Sequence, residues 1–544
     1  MKEQRSLRGK IWESPQFEVD KRFLQNSFFL GRMGEENEAK WRNPSWEDLQ
    51  NPFELKDMSK AVERIKKALE QKEKIMVYGD FDADGITSTA ALVHGLKTLG
   101  ALVSYRIPDR INDSHGLKKQ LIEEISQTGT TLLITVDCGV NDFVEVEYAN
   151  QLGLEVIITD HHKVDPNRWA KNALAVLNPM RPDCDFPTTH LAGVGVVFKL
   201  LQALNNSPKF FAPYAALAAI GSVADCVKLQ GETRTLVQLG LKELNKNHWP
   251  GVHALLDSDE TIDAETIGFQ LAPCLNAASR LGQVQHAVQL FLGDQKQTAD
   301  RVAYLKQLNE QRREFSQAFS EEAKALIQPD QAVQIIFLET CPVGVLGLVA
   351  SRLVENLAQP IMVLTRHPHG GLHGSARAPK NFNLAEALET VANKLNAFGG
   401  HAGAAGFSLE ETQLADFIMA MQAWFKAQAP VPLSLEIAGL VKPDWLDLEW
   451  HRWEKTIEPF GMGNQKPVWQ LESLTLSQLK FMGSSGQHVR LNFNDSHEVV
   501  AFFAAEVASK LKLGDSYEIA VTVAQNTWNG QTKVQWQLVD IRTA

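Results

Sequence analysis

The run YGDFDADGITST, residues 78–89, places three carboxylates, Asp80, Asp82 and Asp84, at alternate positions. The residues leading into it, KIMVYG, are apolar and read as a buried strand, and GITSTAALVHGLKTLG beyond it reads as a helix. Burying charge at the end of a core strand is costly. The run is therefore either an ordinary turn or part of a site that neutralises its carboxylates. The chain around it repeats the strand-then-helix pattern. ALVSYRI, TLLITV, EVIIT and LAVLN read as strands, and KKQLIEEISQTG and FVEVEYANQLG as helices between them. Apolar strands alternating with helices predict a parallel sheet covered on both faces. Ligands of such sheets bind beyond the carboxyl ends of the strands.

Three of these strands end on acids: Asp80-Phe-Asp82-Ala-Asp84, Asp137-Cys-Gly, and Asp160-His161-His162. A fourth acid, Asp225, follows the apolar stretch FFAPYAALAAIGSVA. Taken alone, each has a bland explanation. Asp-Gly is a common turn, a His-His pair is usually solvated, and Asp225 is a possible helix cap. Their joint fall at strand ends in one α/β unit favours convergence. Six carboxylates and two imidazoles cannot share a small volume without neutralisation. Oxygen donors with imidazole and no thiolate suit Mn²⁺ or Mg²⁺. The number of donors exceeds the need of one ion, so a pair of divalent cations about 3.5–4 Å apart is the expected arrangement, suited to phosphoryl chemistry.

Composition bounds the rest. The 544 residues suggest roughly three or four domains at ~150 residues each. With 44% hydrophobic and 22% charged residues, the chain is an ordinary globular mixture. The net charge of −11 argues mildly against a nucleic-acid binder, although a local basic groove is compatible with it. The sparse set Cys138, Cys184, Cys226, Cys274 and Cys341 contains no CxxC and suggests reduced thiols in the cytoplasm. MKEQRSLRGKIW has no apolar signal core, and no stretch is long enough to span a bilayer, so no membrane partner is expected.

Residues 1–50 show no clear period and read as an N-terminal extension packed on the first domain. That domain runs over 51–290. KQTADRVAYLKQLNEQRREFSQAFSEEAKALI reads as one long helix joining two lobes, with Val302, Leu305, Leu308, Phe315 and Phe319 near one face, within a 291–330 connector. A smaller α/β unit follows at 331–432, with strands VQIIFL, PIMVLT, GGLHGSARA and AAGFSL. PVPLSL near 430 marks a boundary. From 433 to 544, five short strands and one helical insert predict a small barrel of the OB or SH3-like type.

The motifs DxDxDG, DCG, DHH and a late Asp in GSVAD resemble the DHH phosphoesterase superfamily, and GGHAGAAGF (399–407) resembles the glycine-rich motif of its companion DHHA1 domain. YGDFDADG, IPDR (107–110), PCLNAASRLG (273–282), GVLGLVASRL, GSARA and EPFGMGNQKPVW are similar to the RecJ family, over about residues 50–544. The resemblance implies a doubly wound DHH domain, a DHHA1 domain and a C-terminal OB domain. It implies a 5′→3′ exonuclease specific for single-stranded DNA, in DNA repair and recombination. It further implies Asp82, Asp84, Asp137, His161 and Asp225 as metal ligands, with Asp80 a ligand or near-ligand. Asp160 would orient an imidazole, and His162 would contact the scissile phosphate or a metal. Arg110, Asn276, Arg280, Ser375 and Arg377 fall at positions implied to surround DNA phosphates. Gly399, Gly400 and His401 would approach a phosphate through backbone N–H groups. A single-strand-binding protein, a helicase and a monomeric cytoplasmic state complete what it implies.

Two positions depart from the family pattern. Pro342 stands where a His is usual, and His115 where a Tyr is usual; neither is expected to touch the metal set. Two other readings stay open: a DHH phosphoesterase of short oligonucleotides or small nucleotides, and a catalytically inactive DNA-binding scaffold. The barrel weighs against the first and the intact acid-histidine set against the second.

Overall fold

The structure, a computed structural model, describes residues 5–14, 20–34, 36–111, 113, 115–256, 261–368, 370–380, 382–428, 433–483, 486–528 and 531–544. The first sheet contains β1 (Lys74–Gly79), β2 (Leu102–Arg106), β3 (Thr130–Val136), β4 (Glu155–Thr159) and β5 (Ala175–Leu177). Its order is β2-β1-β3-β4-β5 and every pairing is parallel. Side chains alternate between faces, as a strand requires. Ile75 and Val77 join one core with Leu132, Ile134 and Val136, while Met76 and Tyr78 join a second with Leu133, Val156 and Ile158. The first core is closed by α1 (Ala83–Thr98), α2 (Gly193–Leu204) and α3 (Pro208–Ala224). Helices Lys119–Ser126 and Phe143–Gln151 close the second. The register sets Gly79 beside Val136 and Val136 beside Thr159. The residues that follow, Asp80, Asp137 and Asp160, therefore leave the sheet side by side.

After α4 (Ala272–Arg280) comes α5 (Thr298–Ala325), 28 residues and about 42 Å long at 1.5 Å per residue. Val302, Leu305 and Leu308 enter the first core, whereas Phe315, Phe319 and Ala323 pack with Val345, Leu346 and Val349 of the next lobe. That lobe carries α6 (Leu346–Leu357) and a sheet of β6 (Gln334–Phe337), β7 (Ile361–Arg366), β8 (Leu372–Arg377), β9 (Ala397–Gly400) and β10 (Ala404–Leu409). The order is β9-β10-β8-β7-β6, parallel only between β6 and β7. The strand β9 is additional to those read from the sequence. Its AFGG segment carries little strand signal, because glycine is a poor strand former.

The chain divides into two compact units, Ser45–Pro430 and Met1–Pro44 with Val431–Ala544. In the second unit, β11 (Trp469–Met482), β12 (His488–Phe493), β13 (His497–Ala501), β14 (Ser516–Trp528) and β15 (Gln531–Thr543) form a closed ring. β11 pairs with both β12 and β14, and β13 meets β15 in parallel. This is the OB arrangement. The last part of the N-terminal stretch packs on the first domain as expected, through Trp46 and Leu49, and the part before Ser45 falls in the second unit. Its strand Ile11–Glu13 pairs with Ser434–Glu436, and its helix Lys21–Met33 sends Leu24 into the barrel core with Trp450 and Trp469. The expected boundary near 430 lies largely on residues outside those described. Among the described residues, no helix is long and apolar enough to cross a membrane.

Candidate active site

Each carboxylate is placed by a different local device. Asp82 caps α1, accepting from the N–H groups of Asp84 at 2.9 Å and Gly85 at 3.1 Å. Asp84, in the first helical turn, accepts from Gly193 N at 2.7 Å and Val194 N at 2.9 Å, the start of α2. Asp137 takes a left-handed φ of 61° at the end of β3, while its own N–H still bonds Thr159 O at 2.9 Å. Asp225 caps the end of α3. Two glycines make the close approach possible. A Cβ on Gly193 would stand 2.6 Å from Asp137 Cβ, and one on Gly221 would stand 2.6 Å from Asp84 Oδ1.

The result is a cluster of donor atoms. Those of Asp80, Asp82 and Asp137 lie within 4.8 Å of one another, as do those of Asp84, His161 and Asp225, and those of Asp137, His161 and His162. His161 Nε2 is 3.1 Å from Asp137 Oδ1 and 3.7 Å from both Asp84 Oδ2 and Asp225 Oδ2. Burial and mutual repulsion act on these groups. Asp84 and Asp137 are pushed well above the usual carboxylate range, by burial first and then by their neighbouring acids. Asp82 is raised by burial and by Asp80, and Asp225 is pushed up to about 7 by burial and by Asp82. Burial, helped by His162, brings His161 down to about 4, which leaves a neutral imidazole with a lone pair to offer.

This donor set fits divalent cations. Asp80 Oδ1 and Asp137 Oδ1 are both buried without a hydrogen-bond partner, although His161 Nε2 lies close to the latter. Orphaned carboxylate oxygens aimed into one cluster of acids are costly unless a cation satisfies them. The set holds oxygens and imidazoles and no thiolate, as hard cations prefer.

Asp160 stands apart from the donors. It accepts from Val140 N, His161 N and His162 N, and its Oδ1 is 2.7 Å from His162 Nδ1. Burial would raise its pKa, but His162 and these N–H groups hold it low. The pairing with Asp160 in turn pushes His162 up to about 10. The imidazole that Asp160 orients is therefore His162.

Beside the acids sits a group of arginines. Burial lowers the pKa of Arg110, Arg280 and Arg377; Arg280 falls to about 9, with Arg110 and Arg377 adding to the effect. Arg110 lies 4.9 Å over the ring of Phe81, between two of the acids. Arg280 donates to Gly344 O at 2.9 Å, which joins the two lobes of this unit. Arg377 donates to Ser375 Oγ at 3.1 Å and packs on Gly347, where a Cβ would stand 2.7 Å from its guanidinium. Asn276 Oδ1 accepts from Ala83 N at 3.0 Å and so braces the metal loop. The register aligns Gly399, Gly406 and Ser375 across β9, β10 and β8. His401 sits in the turn between β9 and β10, its N–H bonded to Ala404 O. Among the described residues, Gly399, Gly400 and His401 share no hydrogen bond or ion pair with the arginines.

One expectation is corrected. His115 does reach the acidic set: its Nδ1 is 3.1 Å from Asp80 Oδ2 and its ring is 4.3 Å from Phe81. Pro342 leads into the 3-10 turn Val343–Val345, whose Gly344 carries Arg280. Sequence reasoning missed the Gly193 and Val194 N–H groups that hold Asp84. The signal available was the glycine pair in AGVGVV at the start of an apolar helix.

Comparisons with known proteins bear on the domains that carry this site. The model of the DHH family N-terminal domain matches residues 74–222, that of the DHHA1 domain 330–427, and that of the RecJ OB domain 437–540. Single-stranded-DNA-specific exonuclease RecJ of Bacillus subtilis is 35% identical, over 91% of this chain and 66% of its own length. The Thermus thermophilus protein of the same name is 32% identical, over 91% of this chain and 73% of its own. The crystal structure of RecJ in complex with Mn²⁺ from Thermus thermophilus superposes with a TM-score of 0.83 at 29% identity, covering 96% of this chain and 76% of that one. The chain thus spans about two thirds to three quarters of the length of these relatives. With all three domain types matched and about a third of residues identical across most of its length, the chain belongs to the RecJ family.

Proposed function

We propose that the chain is a metal-dependent exonuclease that degrades single-stranded DNA from its 5′ end to 5′-mononucleotides, in DNA repair and recombination. The observation that carries the reading is the pair of donor triads, centred on Asp137 and His161, with the half-buried Arg110, Arg280 and Arg377 clustered beside Asp82. Asp80, Asp82 and Asp137 would hold one cation, and Asp84, His161 and Asp225 a second, with Asp137 between them. Mn²⁺ or Mg²⁺ bound there would activate water and offset charge on the phosphate and its leaving oxygen.

The protein's own groups do the rest. Arg110, Arg280 and Arg377, with Ser375, grip the phosphate at the 5′ end; half-buried guanidiniums repelling one another gain most when an anion arrives. Asp160 fixes His162 at Nδ1, which leaves Nε2–H of a protonated ring free for an oxygen of the scissile phosphate. Asn276 keeps the Asp82 loop in register with the helix that bears Arg280. The OB barrel would hold the strand by stacking and cationic contacts. A helicase and a single-strand-binding protein as partners, the cytoplasm as location and a monomeric state belong to the same reading.

The test is digestion of single-stranded DNA labelled at either end, with Mn²⁺. Mononucleotides released first from the 5′ label are expected, with no release by Asp137→Asn. Equal turnover per end on a pentamer and a long strand, with no length-dependent affinity, would instead indicate a short-oligonucleotide phosphoesterase. Binding without any release would indicate a scaffold.

A further inference from the structure

We propose that Phe269 is a base-stacking platform for the substrate strand, on the 3′ side of the scissile phosphodiester. The inference rests on the single-stranded-DNA reading above. Phe269 is 75% exposed and belongs to a π-helical turn, Ile267–Leu271, that runs directly into α4. Three observations lift it above a chance surface aromatic.

The first is alignment. Along Phe269, Pro273, Asn276 and Arg280 the spacing is four, three and four residues, which is one face of a helix. The wider π turn brings Pro273 more nearly under Phe269 than a regular turn would. All of the last three are half-buried, so this stripe faces an open space and not a core. Two of its members already belong to the site: Arg280 reaches Gly344 O among the arginines, and Asn276 Oδ1 accepts from Ala83 N beside Asp82. Phe269 extends the same face by about 10 Å beyond Asn276, at 1.5 Å per residue.

The second is proximity to the metal cluster from the other side. The π turn lies against α3: a Cβ on Gly268 would stand 3.9 Å from Val223 Cγ1, at ordinary contact distance, two residues before Asp225. The third is the turn itself. An inserted residue disrupts the regular ladder, and π turns of this kind recur at functional sites. Here the insertion falls at the one stretch of the face that carries the exposed ring.

The polarity follows from the stripe. Arg280 lies at the end that grips the 5′ phosphate, and Phe269 at the opposite end, past the carboxylates. A strand running along the face meets the arginines first, the catalytic acids next and the ring last. Every base has a π-face, so stacking there tolerates any sequence.

The experiment uses the full chain and 5′-phosphorylated oligothymidylate, with a second set of strands in which one abasic residue is walked from the 5′ end. Phe269→Ala is expected to raise KM roughly ten- to hundredfold with little change in kcat, the loss of about one base–aromatic stack. Phe269→Trp should restore the wild-type KM. The wild type should be penalised by an abasic residue at one position near the 5′ end, and Phe269→Ala should be indifferent to it there. An unchanged KM in Phe269→Ala, or an abasic profile identical to the wild type, overturns the platform while leaving the nuclease reading intact. A wild type that neither binds nor cleaves the oligothymidylate overturns both.

Discussion

At the scale of single residues, the site concentrates charge that the fold without metal must tolerate. Asp137 is buried, left-handed and surrounded by acids, so replacing it should relieve the protein even as it disables it. Asn accepts a positive φ, which makes Asp137→Asn the cleaner substitution. In chelator, its unfolding midpoint should rise, by about 0.5–2 kcal/mol of stability, and the Mn²⁺-induced rise of the wild type should vanish; calorimetry with and without metal checks both. Asp160→Asn weakens the hold on His162 without removing a donor, and should slow cleavage about 10–100-fold with Mn²⁺ affinity nearly unchanged, read by titration. Arg377→Ala should cost about ten- to hundredfold in affinity for a 5′-phosphorylated end, the scale of hydrogen bonds to charged groups, and Lys should not rescue it, because the fork is lost. The acids were legible in the sequence because strand ends in a parallel sheet must adjoin. What touches them was not. The pairing of His115 with Asp80 depends on the path of a loop, and that of Asp160 with His162 on one rotamer.

At the scale of elements, periodicity carried most of the reading. The long helix α5 was visible because its apolar positions kept one face through 28 residues. Elements with a weaker pattern escaped, two of them for clear reasons. The AFGG strand β9 lacks strand-forming side chains and exists because β10 supplies its partner. Helix Lys21–Met33 buries Leu24, Phe29 and Met33, a stripe diluted by the exposed Phe23 and Leu30. The helix Leu448–Lys455 of the barrel unit sets Glu454 under two indoles, with Trp450 Nε1 at 3.0 Å and Trp469 Nε1 at 2.6 Å from its Oε1. Its other oxygen has no partner, and burial pushes the carboxyl up to about 7. A folded pKa raised above the unfolded value near 4.3 stabilises at low pH and loses that stability as pH rises through about 7. The barrel unit should therefore unfold at a lower temperature at pH 8 than at pH 5. Glu454→Gln keeps the acceptor for both indoles and should flatten that dependence, which melting curves across the range would record.

At the scale of the whole molecule, the unit boundaries decide which fragments make sense. Removing only the residues after 430 strands Leu24, Phe28, Phe29 and Trp41 without the core they pack into. Such a fragment should aggregate. A fragment of residues 45–430 should instead stay soluble, bind Mn²⁺ and cleave slowly, with affinity for long single strands reduced by about a hundredfold or more as the linked second grip is lost. Solubility, metal titration and length-dependent binding distinguish the two. The pairing of Ile11–Glu13 with Ser434–Glu436 also sets a timetable. About four hundred residues separate the two strands, and at about 5–20 residues per second a ribosome needs roughly 20–80 s to supply the second. Throughout that interval the earlier strand waits without its partner, while the catalytic unit folds between the two. The strand made before the catalytic unit thus finds its place only after that unit is complete, and the helix Lys21–Met33 beside it stays open to chaperones for the same interval.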